Sequence, residues 1–190
     1  MAGDPIIEAA PSAVERERFR RGLGRWATGV ALVTARVGGR PEGLVVNSLT
    51  AVSFEPPLIA FCPSRMSLTW SRMRAAERFG VNVLGVRDAE FAESAAVAGA
   101  DRFEGVSWAP TANGVPALDG ALAFFECATE EVHPAGDHWI VVGRVQALGD
   151  PGDGRPLLFY RGAYTATEDA EPTPGILDNL ITWSRADDWF

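Results

Sequence analysis

The stretch that decides the fold is WATGVALVTARVGGRPEGLVVNSLTAVSFEPP, residues 26–57. It opens on Ala27-Thr28-Gly29-Val30, turns at Gly38-Gly39-Arg40-Pro41 and closes on Asn47-Ser48-Leu49-Thr50-Ala51-Val52-Ser53-Phe54-Glu55-Pro56-Pro57. The apolar run 30–35 predicts a strand, Gly38-Gly39 a hairpin turn, and 43–46 the returning strand. Two more strands are predicted over 50–54 and 58–62, where the double proline forces extended backbone and breaks the ladder. Small polar residues interrupt this sheet. A strand that only builds a core alternates apolar with solvated positions, whereas Asn47, Ser48, Thr50 and Ser53 offer short donors and acceptors to a planar polar ligand. That is the composition of a binding surface.

Working outward, residues 1–11 read as a flexible leader. Ser12 with Glu15 matches a capping box, opening a helix whose Phe19, Leu23 and Trp26 share one face. Ser67 caps a second helix through 76, ended near Phe79-Gly80, and 81–84 reads as a buried strand. Asp88 starts a third helix to about 98. Residues 99–120 form a Gly/Pro-rich loop, and loops of that length are commonly functional. The last predicted sheet elements are 121–133, a turn at Pro134-Ala135-Gly136-Asp137, 138–148, and 157–165. This order gives antiparallel hairpins with inserted helices, a mainly β (α+β) fold, with one domain over 12–166. Residues 167–190 begin with linker composition and end in spaced apolar residues with two of the six tryptophans, so the extension is expected to act as an amphipathic arm.

Composition excludes several functions. At 190 residues and 47% hydrophobic content the chain suits one core-forming domain. A net charge of -8 argues against a nucleic-acid surface, which needs a basic patch to neutralise phosphates. All 17 basic residues are arginine, so Schiff-base chemistry and a P-loop lysine are excluded. Cys62 and Cys127 lie in separate apolar runs and read as buried free thiols. The first residues lack a signal-peptide pattern and no long apolar run is present, so the expectation is a cytoplasmic protein with no membrane partner.

Other constellations point less far. Gly22-Leu23-Gly24-Arg25-Trp26-Ala27 has the letters of a dinucleotide fingerprint, but a helix precedes it and a strand follows, the reverse of what that motif needs. His133 and His138 flank a turn without a nearby third ligand, so no metal is expected. No serine sits in a G-x-S-x-G elbow, which disfavours a hydrolase. Ser64, Ser67 and Thr69 beside Arg65 read equally well as an anion site or as a plain helix cap with spare hydroxyls. His138, at the start of a strand, is by itself a half-exposed hydrogen-bonding residue.

In their joint order these pieces resemble the short-chain flavin reductase family, the reductase components of two-component flavin-dependent monooxygenases. The resemblance runs from Phe19 to Tyr164. It rests on Phe19-Arg20 with Trp26-Ala27-Thr28-Gly29-Val30, the Asn47 to Leu58 tract, Ser64 to Thr69, Phe79-Gly80-Val81-Asn82-Val83-Leu84, Asp101-Arg102-Phe103 with Val106-Ser107-Trp108, Leu118-Asp119-Gly120-Ala121, Gly136-Asp137-His138, and Pro156-Leu157-Leu158-Phe159-Tyr160-Arg161-Gly162.

The resemblance implies an antiparallel split β-barrel with Greek-key connections and a few peripheral helices, the FMN-binding split barrel. It implies NAD(P)H-dependent hydride transfer to FMN or FAD, with NADH or NADPH as donor, a homodimer, and release of reduced flavin to a separate monooxygenase. In this family's pattern Thr28, Asn47, Ser48, Leu49, Thr50 and Ser53 hold the flavin ring, Ser64, Arg65, Ser67 and Thr69 its phosphate, and Phe79 with Asn82 the far wall. Asp137, Tyr160 and Arg161 meet the nicotinamide nucleotide beside His138, the residue assigned to catalysis. Arg65-Met66 depart from the usual lysine or arginine followed by small polar residues. The same barrel also hosts non-reductase flavin- or haem-binding modules, and a ligand-free dimeric scaffold is a third reading.

Overall fold

The computed structural model describes residues 13–95, 102–103 and 105–168. In chain order the elements are α1 (Ala13–Leu23), β1 (Thr28–Gly29), β2 (Ala31–Val37), β3 (Arg40–Val46), β4 (Thr50–Phe54), β5 (Pro57–Phe61), α2 (Leu68–Met73), β6 (Arg78–Val83), a 3-10 turn (Val86–Asp88), α3 (Ala89–Ala95), β7 (Trp108–Pro110), β8 (Pro116–Leu118), β9 (Ala123–Ala135), β10 (His138–Leu148), β11 (Leu157–Tyr160) and β12 (Ala163–Ala166). The leader at 1–11, Ser12 of the expected capping box, Asp101 and nearly all of the C-terminal extension lie outside the described residues.

Seven strands pair in the order β3-β2-β6-β9-β10-β5-β4, every pair antiparallel. The two edge strands, β3 and β4, are consecutive in the chain and joined only by Asn47, Ser48 and Leu49. Drawn flat, seven strands hold their edges about 29 Å apart, but four Cα steps reach at most about 15 Å. The sheet must therefore curl until its edges nearly meet. Since β3 and β4 form no ladder with each other, the barrel stays split, and the Asn47–Leu49 link crosses the split.

Strand β2 explains why the run at 30–35 is continuously apolar. Its alternate side chains enter two different cores: Ala31, Val33 and Ala35 pack with Phe61, Trp70, Phe79, Val81 and Val141, while Leu32, with Val30 just before the strand, packs with Leu84, Ala92, Leu118 and Leu157. The second core is closed by α3 and by a separate sheet of order β1-β11-β12.

Three predicted elements differ from the structure. The second helix stops at Met73, where the Arg74 N–H bonds the Trp70 carbonyl, because β6 begins at Arg78 to pair with Ala128 of β9. The 99–120 loop contains the β7-β8 ribbon. Residues 157–165 form a tight hairpin rather than one strand, turning at Arg161 and Gly162, whose φ angles are 53° and 83°.

Candidate functional site

The split opens a cleft of about 730 Å³. One wall is the Asn47-Ser48-Leu49 link with Thr50 and, from β1, Thr28 and Gly29; the other is Leu23, Gly24 and Trp26 at the end of α1 with Phe159 and Arg161 of the β11–β12 hairpin. Strand β1 is held there by pairing Thr28 with Phe159 and Gly29 with Leu158. The Thr28 hydroxyl is buried and has no hydrogen-bond partner. Such an atom costs free energy unless a ligand or water satisfies it. Ser48 Oγ accepts from the Cys62 N–H at 2.9 Å, which ties the link to the end of β5, and the Thr50 hydroxyl donates to the Ala51 carbonyl at 3.2 Å.

Beyond Cys62 the chain enters a second polar cluster. Ser64 forms a ladder bridge with His138, the Arg65 N–H bonds the Asp137 carbonyl at 2.9 Å, and the Trp139 N–H bonds the Pro63 carbonyl at 2.9 Å. The Arg65 guanidinium donates to the Gly136 carbonyl at 3.3 Å and lies 5.1 Å from the Trp139 ring centre. Ser67 is the N-cap of α2, its hydroxyl oxygen accepting from the Trp70 N–H at 3.1 Å, and Ser64 Oγ accepts from the Met66 N–H at 3.2 Å. Ser64 and Arg65, read in sequence as a phosphate loop, thus sit directly against the Gly136-Asp137-His138 turn at the tip of the β9–β10 hairpin. His138 Nδ1 lies 2.7 Å from Asp137 Oδ1. This hydrogen bond, reinforced by the imidazole's charge when protonated, holds the exposed Asp137 carboxyl below its ordinary pKa.

Several of the residues expected at the site are buried or half-buried. Phe79, 3% exposed, is a core residue stacked edge-on against Phe61. Asn82, 0% exposed, donates through Nδ2 to the Leu32 carbonyl at 3.1 Å and accepts the Leu118 N–H at 2.8 Å through Oδ1. Both are buried because β6 runs inside the sheet, and neither lines the cleft at the split. Thr69 is buried within α2, and Ser53 is half-buried in β4 beside its bulge. Tyr160 is half-buried where the hairpin begins, and Arg161 lines the cleft at the split, which the His138 turn does not. Cys62 is only partly buried, whereas desolvation, with the nearby Glu126 charge, pushes the Cys127 thiol up to about 12.

Sequence reasoning missed Leu23, Gly24, Trp26 and Phe159 as lining residues. The available signal was the α1 stripe itself: Leu23 and Trp26 remain 57% and 74% exposed, so the face that looks core-directed instead borders the cleft. Among the described residues no group of three His, Cys, Asp or Glu side chains is placed to hold a metal ion, and no helix is long and apolar enough to cross a membrane.

The molecule is an antiparallel split barrel with a cleft at its split and a His-Asp turn at the tip of the β9–β10 hairpin. Residues 23–168 match the family described as flavin reductase like domain. The chain is 37% identical over 193 residues to the reductase subunit HsaB of a flavin-dependent monooxygenase from Rhodococcus jostii, covering 100% of this chain and 98% of that protein. It is 36% identical to the FMN reductase (NADH) SmoA of Agrobacterium fabrum, covering 81% and 87% of the two chains. The solved structure of the NADH:FAD oxidoreductase SgcE6 of Streptomyces globisporus, in complex with NAD and FAD fragments, superposes with a TM-score of 0.77 at 32% identity, covering 86% of this chain and 99% of that one. The chain belongs to the flavin reductase-like domain family.

Proposed function

We propose that this chain is an NAD(P)H:flavin oxidoreductase that reduces FMN or FAD in the cleft at the split and passes the reduced flavin to a separate monooxygenase. The observation that carries the reading is the buried, partnerless Thr28 hydroxyl in a cleft that the Asn47–Leu49 link also lines. At about 730 Å³ the cleft falls within the roughly 300–1,000 Å³ usual for cofactor sites. A planar ring edged with carbonyls and N–H groups fits that donor set, and Thr28, Asn47, Ser48, Leu49 and Thr50 hold it, with Ser53 behind them. Ser64 and Arg65 take the phosphate; Ser67 and Thr69 shape that loop. Asp137 and His138 meet the nicotinamide nucleotide, with Tyr160 and Arg161 at the mouth.

When both are bound, the nicotinamide supplies a hydride and the flavin ring accepts it. The protein's part is orientation and exclusion of water, which is why no acid, base or metal is needed among its side chains. Asp137 fixes the His138 ring through the 2.7 Å contact at Nδ1, leaving Nε2 for a ligand. The chain works as a homodimer, supported by the exposed apolar side chains Phe19, Leu23, Trp26, Val52 and Phe54. Its two unpaired cysteines suit the reducing cytoplasm.

The test is anaerobic mixing of purified protein with FMN or FAD and NADH. Bleaching of the flavin absorbance at a protein-dependent rate is expected. Flavin binding without bleaching, or no binding, overturns the reading.

A further inference from the structure

Arg161 stands with three arginines that the reading above leaves without a role. Arg20 and Arg21, at the C-terminal end of α1, Arg25, in the turn just beyond it, and Arg161, in the β11–β12 turn, line a second cleft of about 380 Å³ together with Gly24 and Gly162. This cleft shares Arg20, Gly24, Arg161 and Gly162 with the larger one at the split, so the two are continuous. The charge is local. Residues 13–25 carry five arginines and two glutamates in a chain whose net charge is -8. Arg21 has Glu17 at 3.8 Å, both side chains mostly exposed, while the side chains of Arg20, Arg25 and Arg161 have no carboxylate partner among the described residues.

Part of this has an ordinary explanation, since cations at a helix C-terminus complement the helix dipole. That accounts for Arg20 and Arg21 and fails for Arg161. Arg161 comes from the other end of the chain and is docked on the helix end by its N–H, which bonds the Gly24 carbonyl at 3.0 Å. The two backbones are close: a Cβ at Gly24 would lie in ordinary contact with Arg161 Cα, at 3.7 Å. Arg161 also occupies the first central position of a two-residue hairpin turn, with φ of 53° followed by Gly162 at 83°. Both central residues of such a turn are left-handed, and Asn, Asp or Gly normally fill the first. An arginine held there against backbone preference indicates that its side chain is wanted.

We propose that the arginine cleft binds the diphosphate of a dinucleotide whose ring lies in the adjoining cleft at the split. The placing of the ring rests on the flavin reductase reading; the diphosphate rests on the arginines alone. Guanidinium forks match phosphate oxygens two at a time, and four of them around one cleft suit two linked phosphates better than one. The diphosphate belongs either to the nicotinamide dinucleotide, with the flavin phosphate left to Ser64 and Arg65, or to FAD, whose phosphates then lie here instead of at Ser64 and Arg65.

The experiment titrates ADP, a probe that carries the diphosphate, into wild-type protein and into the Arg161→Asn and Arg20→Gln variants at low salt by calorimetry. Asn keeps the left-handed turn, so R161N retains the fold, and R20Q tests the same cleft from the helix. Each variant is expected to bind ADP at least about tenfold more weakly, the loss of one charge-assisted contact. In active enzyme, a rise in KM for FAD with that for FMN unchanged assigns the diphosphate to the flavin. A rise in KM for NADH with FMN as acceptor assigns it to the nicotinamide dinucleotide. The proposal falls if both variants bind ADP within about twofold of wild type, or if neither KM moves. Wild-type protein that fails to bleach flavin removes the reductase reading and leaves the ADP titration to decide the cleft by itself.

Discussion

Thr28 and Asn82 are both polar residues of the barrel and occupy opposite situations. Asn82 is satisfied entirely by the protein, bonding the Leu32 carbonyl, the Thr34 hydroxyl and the Leu118 N–H. Asn82→Ala therefore leaves a buried N–H without a partner and should lower unfolding stability by about 2 kcal/mol in urea, with KM for flavin unchanged; a raised flavin KM at full stability would return Asn82 to the site. The Thr28 hydroxyl is satisfied by nothing in the chain. Thr28→Val keeps the shape and removes that atom, so stability should hold or rise, while flavin affinity measured by fluorescence quenching falls by about fivefold to tenfold, one ordinary hydrogen bond. Asp137 gives a prediction in pH. Its folded pKa is depressed, first by the hydrogen bond to His138, so the stabilisation is complete above the ordinary carboxylate value and is lost only as pH falls through the lowered one. The carboxylate accordingly stays ionised through about pH 5 to 8, the range where histidines titrate. An NMR titration of Asp137 should give a midpoint under its ordinary 3.8, and His138→Ala should raise it; an unmoved midpoint would contradict the contact.

Strand β10 shows how an element is fitted to its place. It carries Gly143 at the point where its pairing with β9 slips by one residue. There a Cβ would overlap the Phe79 ring and lie 3.2 Å from Cys127 Cβ. Gly143→Ala should cost about 1–3 kcal/mol through overpacking, and the penalty should shrink in a Phe79→Leu background, where the ring is gone. Equal penalties in the two backgrounds, measured by chemical denaturation, would mean the ring is not the obstacle. The same contact shows where the Phe79 ring goes: it fills the space that Gly143 leaves. The hairpin strands at 30–46 and 138–148 were legible because turn glycines and apolar runs are local signals. The β11–β12 turn was not, because Arg161 is an unusual residue for it.

At the scale of the molecule, Phe19 and Leu23 of α1 and Trp26 just beyond it leave large apolar side chains exposed. Isolated exposed apolar residues are ordinary, whereas a contiguous group of them is what the proposed homodimer would cover. Leu23→Glu is expected to halve the mass found by light scattering at micromolar concentration; a wild-type chain already of monomer mass would remove the homodimer from the proposed function. The sequence by itself determined the antiparallel hairpins, the polar tract at 47–53 and the His-Asp turn, because each depends on residues close together in the chain. Only the tertiary structure decided that the tract crosses a split, that Asn82 and Phe79 turn inward, and that Arg161 joins the arginines of α1. Those outcomes follow from curling a seven-stranded sheet until a three-residue link can bridge its edges, a constraint that involves the whole barrel and no single segment of it.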